Sequence, residues 1–200
     1  MAAHQPFLLG PRALEENRPL SIRAFFGLPI PEPQRDELGR FITECAALAP
    51  NFRWTPISNL HLTIRFVGSV DPQVVEGIAD RLGGRGLAGF DLELGDIGTF
   101  KRSRLVRVVW LGLRSGRDAP TALAAQVEAE CTAAGLDAES RAFQAHVTLA
   151  RARHRDGSDL PTLPAVPRLE PWRAAQLILF SSHLGKAGAV HEPIRSVTLE

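Results

Sequence analysis

Asn59-Leu60-His61-Leu62-Thr63-Ile64-Arg65-Phe66 and Gln144-Ala145-His146-Val147-Thr148-Leu149-Ala150-Arg151 state one pattern twice, with the two histidines 85 residues apart. In each copy polar and apolar residues alternate with period two, as in a strand that buries one face and offers the other to solvent or substrate. His61 and Thr63 therefore share a face, with Leu62, Ile64 and Phe66 directed into a core. His146 and Thr148 do likewise against Val147 and Leu149. Strict alternation puts Arg151 on the face opposite His146, so it reaches a ligand held there only if the strand bends or ends near Ala150. Two His/Thr pairs on apolar-backed strands are able to face each other across one cleft.

The rest of the chain is an ordinary globular background. Two hundred residues, 44% hydrophobic and 22% charged, suffice for one well-buried domain or two small halves sharing an interface. A formal charge of +1 supplies no global field toward nucleic acid or an anionic membrane, so basic surface must be local. Arg102, Arg104 and Arg107 form one such cluster and Arg151, Arg153 and Arg155 another; only Lys101 and Lys186 are lysine. Cys45 and Cys131 fall in amphipathic helical patterns and read as small buried apolar residues, forming neither a redox motif nor a zinc site. No apolar run reaches the length of a transmembrane helix, and residues 1–20 lack the basic start and long apolar core of a signal peptide. A cytoplasmic monomer with a flexible N-terminal tail over residues 1–20 is expected.

Working outward, Ile22 to Leu28 reads as a strand stopped by Pro29 and Pro31. Leu38, Phe41, Ile42, Cys45 and Leu48 recur at helical spacing before Pro50. Asp71-Pro72 starts a second helix, with a capping carboxylate outside and proline at the first helical position. Gly83-Gly84-Arg85-Gly86 follows that helix and lacks the Gly-Lys-Ser/Thr ending of a phosphate loop, so it reads as a connection. Strands are expected at Phe90 to Leu94, followed by Ile97 to Phe100, and at Leu105 to Gly112, and a third helix from Asp118 to Gly135. The second His/Thr strand begins near Phe143. Residues 152–171 form a long proline-rich loop, and 175–182 and 190–197 pair as a terminal hairpin around Gly185 to Gly188.

Imidazole has a reference pKa of about 6.5, so at neutral pH one histidine can accept a proton while a second donates one. Placed on opposite sides of a phosphorus atom, two of them serve an in-line displacement. A threonine hydroxyl two residues along each strand can hold a non-bridging oxygen, and arginine nearby balances charge. A zinc site is the competing arrangement, with His61 and His146 joined by His154, His183 or His191, although no further ligand stands at metal spacing beside either motif. No serine-nucleophile elbow is present.

At these residues the sequence resembles the two-histidine phosphoesterase superfamily, and within it the RNA 2′,3′-cyclic phosphodiesterases, historically called 2′-5′ RNA ligases. Ile22 to Pro29, Arg53-Trp54, Asn59 to Gly68, Val108 to Gly112, Phe143 to Arg151 and the terminal hairpin stand in that family's order, covering residues 21–199. The resemblance implies an α+β fold over residues 21–200, a single bilobal domain in which two pseudo-symmetric antiparallel sheets with outer helices enclose a central cleft. It implies hydrolysis of an RNA or oligonucleotide 2′,3′-cyclic phosphate end to a 2′-phosphomonoester, with reversible 2′-5′ ligation, and without metal or other cofactor. His61 would be the general acid, His146 the general base, Thr63 and Thr148 would hold phosphoryl oxygens, and Arg151 would assist. Two departures stand out: Ala145 replaces the usual proline before the second histidine, and His191 stands where relatives often carry tyrosine. With no tyrosine in the chain, an aromatic contact to a base falls to Phe66 or Trp54, positions more commonly used as core. The alternatives are a phosphodiesterase for small cyclic-phosphate or 2′-5′-linked nucleotides and a non-catalytic RNA-binding module.

Overall fold

A computed structural model of the chain describes residues 20–185 and 188–200. The tail expected over the first 20 residues, up to residue 19, and Lys186-Ala187 in the terminal turn lie outside the described residues. The elements run β1 (Ile22–Pro29), α1 (Glu32–Leu48), β2 (Phe52–Trp54), β3 (His61–Val70), α2 (Pro72–Gly83), β4 (Phe90–Arg102), β5 (Leu105–Ser115), α3 (Asp118–Ala133), β6 (Val147–Ala152), β7 (Trp172–Ala174), β8 (Gln176–Gly185) and β9 (Gly188–Thr198). A 3₁₀ turn, Ile57–Asn59, precedes β3. All the strand pairs are antiparallel, so the fold is α+β.

The helices begin and end where local chemistry directs. Asp71 caps α2 by accepting the Gln73 backbone N–H at 2.8 Å, with Pro72 in the first turn where no donor is missed. Val75, Ile78, Ala79 and Leu82 form its buried stripe. Gly135, at φ +83°, takes the left-handed conformation that ends α3. Cys45 and Cys131 are buried and free, and burial pushes both thiols up to about 11. β7 was not anticipated, and the stretches Phe90 to Leu94 and Ile97 to Phe100 are joined in the one strand β4. β6 starts at Val147 rather than near Phe143, because the four preceding residues have no ladder partner.

The sheet order is β7-β4-β5-β6-β3-β1-β8-β9, with β2 added to β6. The two sheets expected from the sequence are thus two halves of one continuous sheet. At their junction, β3 and β6 share a single registered pair, Leu62↔Val147, both side chains fully buried. α3, which follows β5, packs on the motif strand β3, and α1, which follows β1, packs on β2, the strand laid along β6.

Both motif strands carry a β-bulge directly after their threonine. Against β1, Gly27 pairs with Thr63 and Phe26 with Arg65, leaving Ile64 as the extra residue. Against β5, Trp110 pairs with Thr148 and Val109 with Ala150, leaving Leu149 extra. A bulge reverses the alternation downstream of it. Phe66 therefore turns out of the core, correcting the sequence expectation, and is 45% exposed. Arg151 turns to the face of His146 and Thr148 by the same device. The two residues occupy equivalent places, five positions after their histidines.

Candidate active site

His61, Thr63, Thr148 and Arg151 line one groove of about 190 Å³, together with Trp54 and His191. His146, immediately before β6, borders the adjoining cavity that also includes Thr63. The Leu62↔Val147 pair explains this convergence: the residues on either side of it point away from the core on both strands.

Each imidazole is oriented by the backbone carbonyl two residues before it. His61 Nδ1–H donates to the Asn59 carbonyl and His146 Nδ1–H to the Gln144 carbonyl, both at 2.7 Å. A carbonyl only accepts, so Nδ1 carries the proton and Nε2 is left for chemistry. In His61, Nε2 lies 3.0 Å from Thr63 Oγ1, whose hydroxyl donates a hydrogen bond to it in the resting state. Asn59 is itself held by its side-chain amide, which donates to the Ala189 carbonyl at 2.6 Å.

Aromatic rings back both histidines. Phe25 stacks on His61 at 4.6 Å and in turn on Phe180 at 5.0 Å. His146 meets the edge of Phe100 at 5.2 Å and Trp110 at 5.9 Å. Gly98 is a packing requirement here, because a Cβ there would stand 2.1 Å from the Trp110 ring. Burial pushes His61 down to about 4, helped by the neighbouring His191, His146 and Arg151 and opposed by the Asn59 hydrogen bond. Burial also lowers His146, with Arg151 adding to the effect. Both rings are thus predominantly neutral at neutral pH, and an anionic ligand between them would favour protonation.

The arginine clusters are rearranged by the fold. Arg53 faces Arg151 across the β2–β6 ladder, and Arg151 is depressed first by burial and then by Arg53 and Arg107. Among the described residues none of these three forms an ion pair. Arg102 instead pairs with Asp156 at 3.1 Å, and Arg153 donates to the Pro50 carbonyl at 3.1 Å. Of the three further histidines in the zinc arrangement, only His191 reaches the groove, its ring at 88° to His61 with centroids 5.3 Å apart. Among the described residues no three His, Cys, Asp or Glu side chains converge on a metal position. The aromatic backing was not read from the sequence, since Ala24-Phe25-Phe26 is a continuous apolar run that gives no clue to which phenylalanine faces the cleft. Two imidazoles whose Nε2 atoms carry no proton, two hydroxyls and unpaired guanidinium charge form a site for a tetrahedral anion at which protons can be both taken and given.

A family model for LigT-like phosphoesterases matches residues 28–110 and, a second time, residues 111–191, so each match contains one His/Thr motif. An RNA 2′,3′-cyclic phosphodiesterase of Aeropyrum pernix is 36% identical over 105 residues, 52% of this chain and 58% of that protein. One from Escherichia coli is 28% identical over 175 residues, 86% of this chain and 94% of its own length. The crystal structure of E. coli LigT complexed with 3′-AMP is 27% identical and similar at a TM-score of 0.77, covering 90% of this chain and 98% of that one. Among the described residues no helix is long and apolar enough to cross a membrane.

Proposed function

Because the chain belongs to the LigT-like phosphoesterase family, we propose that it hydrolyses RNA 2′,3′-cyclic phosphate ends to 2′-phosphomonoesters by two-histidine acid/base catalysis. The observation that carries this reading is the matched orientation of the two imidazoles, each with Nδ1–H tied to a carbonyl so that Nε2 is the atom that exchanges protons, His61 in the groove that holds Arg151 and His146 in the cavity adjoining it. The names of the relatives support the substrate class.

In the reaction, the cyclic phosphate lies between His61 and His146. His146 Nε2 takes a proton from water as the new P–O bond forms. The P–O3′ bond breaks on the opposite side, and His61 Nε2–H gives its proton to the departing 3′ oxygen. The Thr63 hydroxyl, released from His61 when that ring is protonated, and the Thr148 hydroxyl donate to non-bridging oxygens, and Arg151 balances their charge. Nothing in this sequence of proton transfers calls for a metal or other cofactor, and a monomer in the cytoplasm is the setting we assign to it.

Turnover of a nucleoside 2′,3′-cyclic phosphate in excess chelator, with the product isomer identified, tests the reading. A 2′-phosphate is expected. A 3′-phosphate product would overturn the acid/base geometry, and salt-sensitive oligonucleotide binding without turnover would identify a binding module instead.

A further inference from the structure

Resting on that reading, the structure assigns a second nucleoside subsite. We propose that the cavity on the far side of His146 takes the base of the nucleoside whose 5′ oxygen enters or leaves where water otherwise attacks. The cavity measures about 360 Å³, within the ordinary range for small-molecule sites, and opens between Thr63 and His146. It exists because β3 and β6 part immediately beyond the Leu62↔Val147 pair. On one side of that pair the gap is occupied by β2, laid along β6. On the other, residues 139–144 and α3 stand back from β3 and leave the space open.

Its walls suit a flat aromatic ring. Ile64, Phe66, Ala125 and Phe143 supply apolar surface, with Glu128 and Arg141 among its polar groups. Phe66 is there because of the bulge at Ile64, and Arg23 lies over its ring at 5.5 Å, holding it in place. An exposed aromatic beside a phosphate groove is a stacking platform for a base. The wall is also fixed in advance: Arg65, 10% exposed, is paired with Glu128 and donates to the Asp137 carbonyl at 2.6 Å, while Glu128 accepts the Glu139 N–H at 2.9 Å.

The place of the cavity decides its occupant. In-line displacement puts the entering and leaving oxygens on opposite sides of phosphorus, one against each histidine. The terminal ribose, whose 3′ oxygen faces His61, lies on the other side. A cavity beyond His146 serves nothing when water attacks, but it holds a nucleoside when a 5′ hydroxyl does. In the cleavage direction, the 3′ hydroxyl of a 2′-5′ dinucleoside monophosphate loses its proton to His61 and bonds to phosphorus. The P–O5′ bond then breaks and His146 protonates O5′, giving a 2′,3′-cyclic phosphate and a free nucleoside.

The test compares adenosine 2′,3′-cyclic phosphate hydrolysis with cleavage of 2′-5′-linked diadenosine monophosphate, for wild type and Ala125→Trp. Loss of one stacked base should lower kcat/KM for the dinucleotide by about tenfold or more, with cyclic phosphate hydrolysis changed less than about twofold. Ala125 is exposed on α3, so its replacement fills the cavity without entering the core; an unchanged Tm verifies this. Equal losses on both substrates, or no loss on either, would overturn the subsite. A wild type active on the cyclic phosphate but inert on the dinucleotide would also overturn it, whereas one inert on both would defeat the functional reading beneath it.

Discussion

At the scale of single residues, the chemistry we propose is set by where His61 and His146 place their Nδ1 protons. Each ring donates to the carbonyl two residues back, and this leaves two Nε2 atoms with the same tautomer for the opposite tasks we propose for them. Burial, first among the causes, lowers both histidines, and in the free protein His61 falls to about 4. The productive form has one ring charged and the other neutral, and its population is greatest between the two pKa values, both of which lie below the usual 6.5. The profile of kcat/KM against pH, which reports the free protein, is therefore expected to be bell-shaped with its maximum below pH 6.5. A maximum above pH 7 would show that the rings are not held neutral by burial. At Gly98 the requirement is spatial, because the Trp110 ring lies where a Cβ would be. Gly98→Ala should displace the indole and with it His146, lowering kcat by about a hundredfold for a misplacement of roughly 1 Å. Steady-state kinetics beside a thermal melt would separate this from unfolding.

At the scale of elements, what the sequence disclosed and what it hid divide at the bulges. The His-any-Thr spacing required only two residues of regular strand, so the shared face of His61 and Thr63 was legible, as was that of His146 and Thr148. Helix starts such as Asp71-Pro72 were legible too, because capping is local. The turnover of Phe66 and Arg151 was not, since Ile64 and Leu149 become extra residues only against the registers of β1 and β5. A bulge is a property of a strand pair, and alternation within one strand carries no sign of it. Residues 139–146 depend similarly on a distant contact, the Arg65–Glu128 pair. Arg65→Leu leaves Glu128 without that partner and releases the Asp137 carbonyl. The expected result is a fall in kcat of at least about tenfold, with faster amide exchange over residues 137–145 than in wild type. Exchange unchanged in that segment would show that Arg65 does not order it.

At the scale of the whole molecule, the two motif strands meet in one registered residue pair, and the candidate site lies at that junction. Helices α2 and α3 are joined by Glu130, 6% exposed, which accepts from Arg81 at 2.7 Å and is paired with Arg85. The Arg81 hydrogen bond is the largest cause holding this carboxyl below its ordinary 4.5. A depressed acid contributes stability that is present above its unfolded pKa and lost as pH falls through the folded one. Glu130→Gln should therefore unfold at lower denaturant concentration at pH 7 and lose less further stability than wild type on acidification below about 4.5. Parallel curves for the two proteins would remove Glu130 from the account.

The central claim is that the two motifs form a single machine, and kcat on a nucleoside 2′,3′-cyclic phosphate for His61→Ala, His146→Ala and the double variant tests it directly. Each single change should cost about 10²–10⁴ in kcat, and the double should lose little more, since residues acting as one unit are not additive. Near wild-type turnover in either single variant, or losses that multiply in the double, would contradict it.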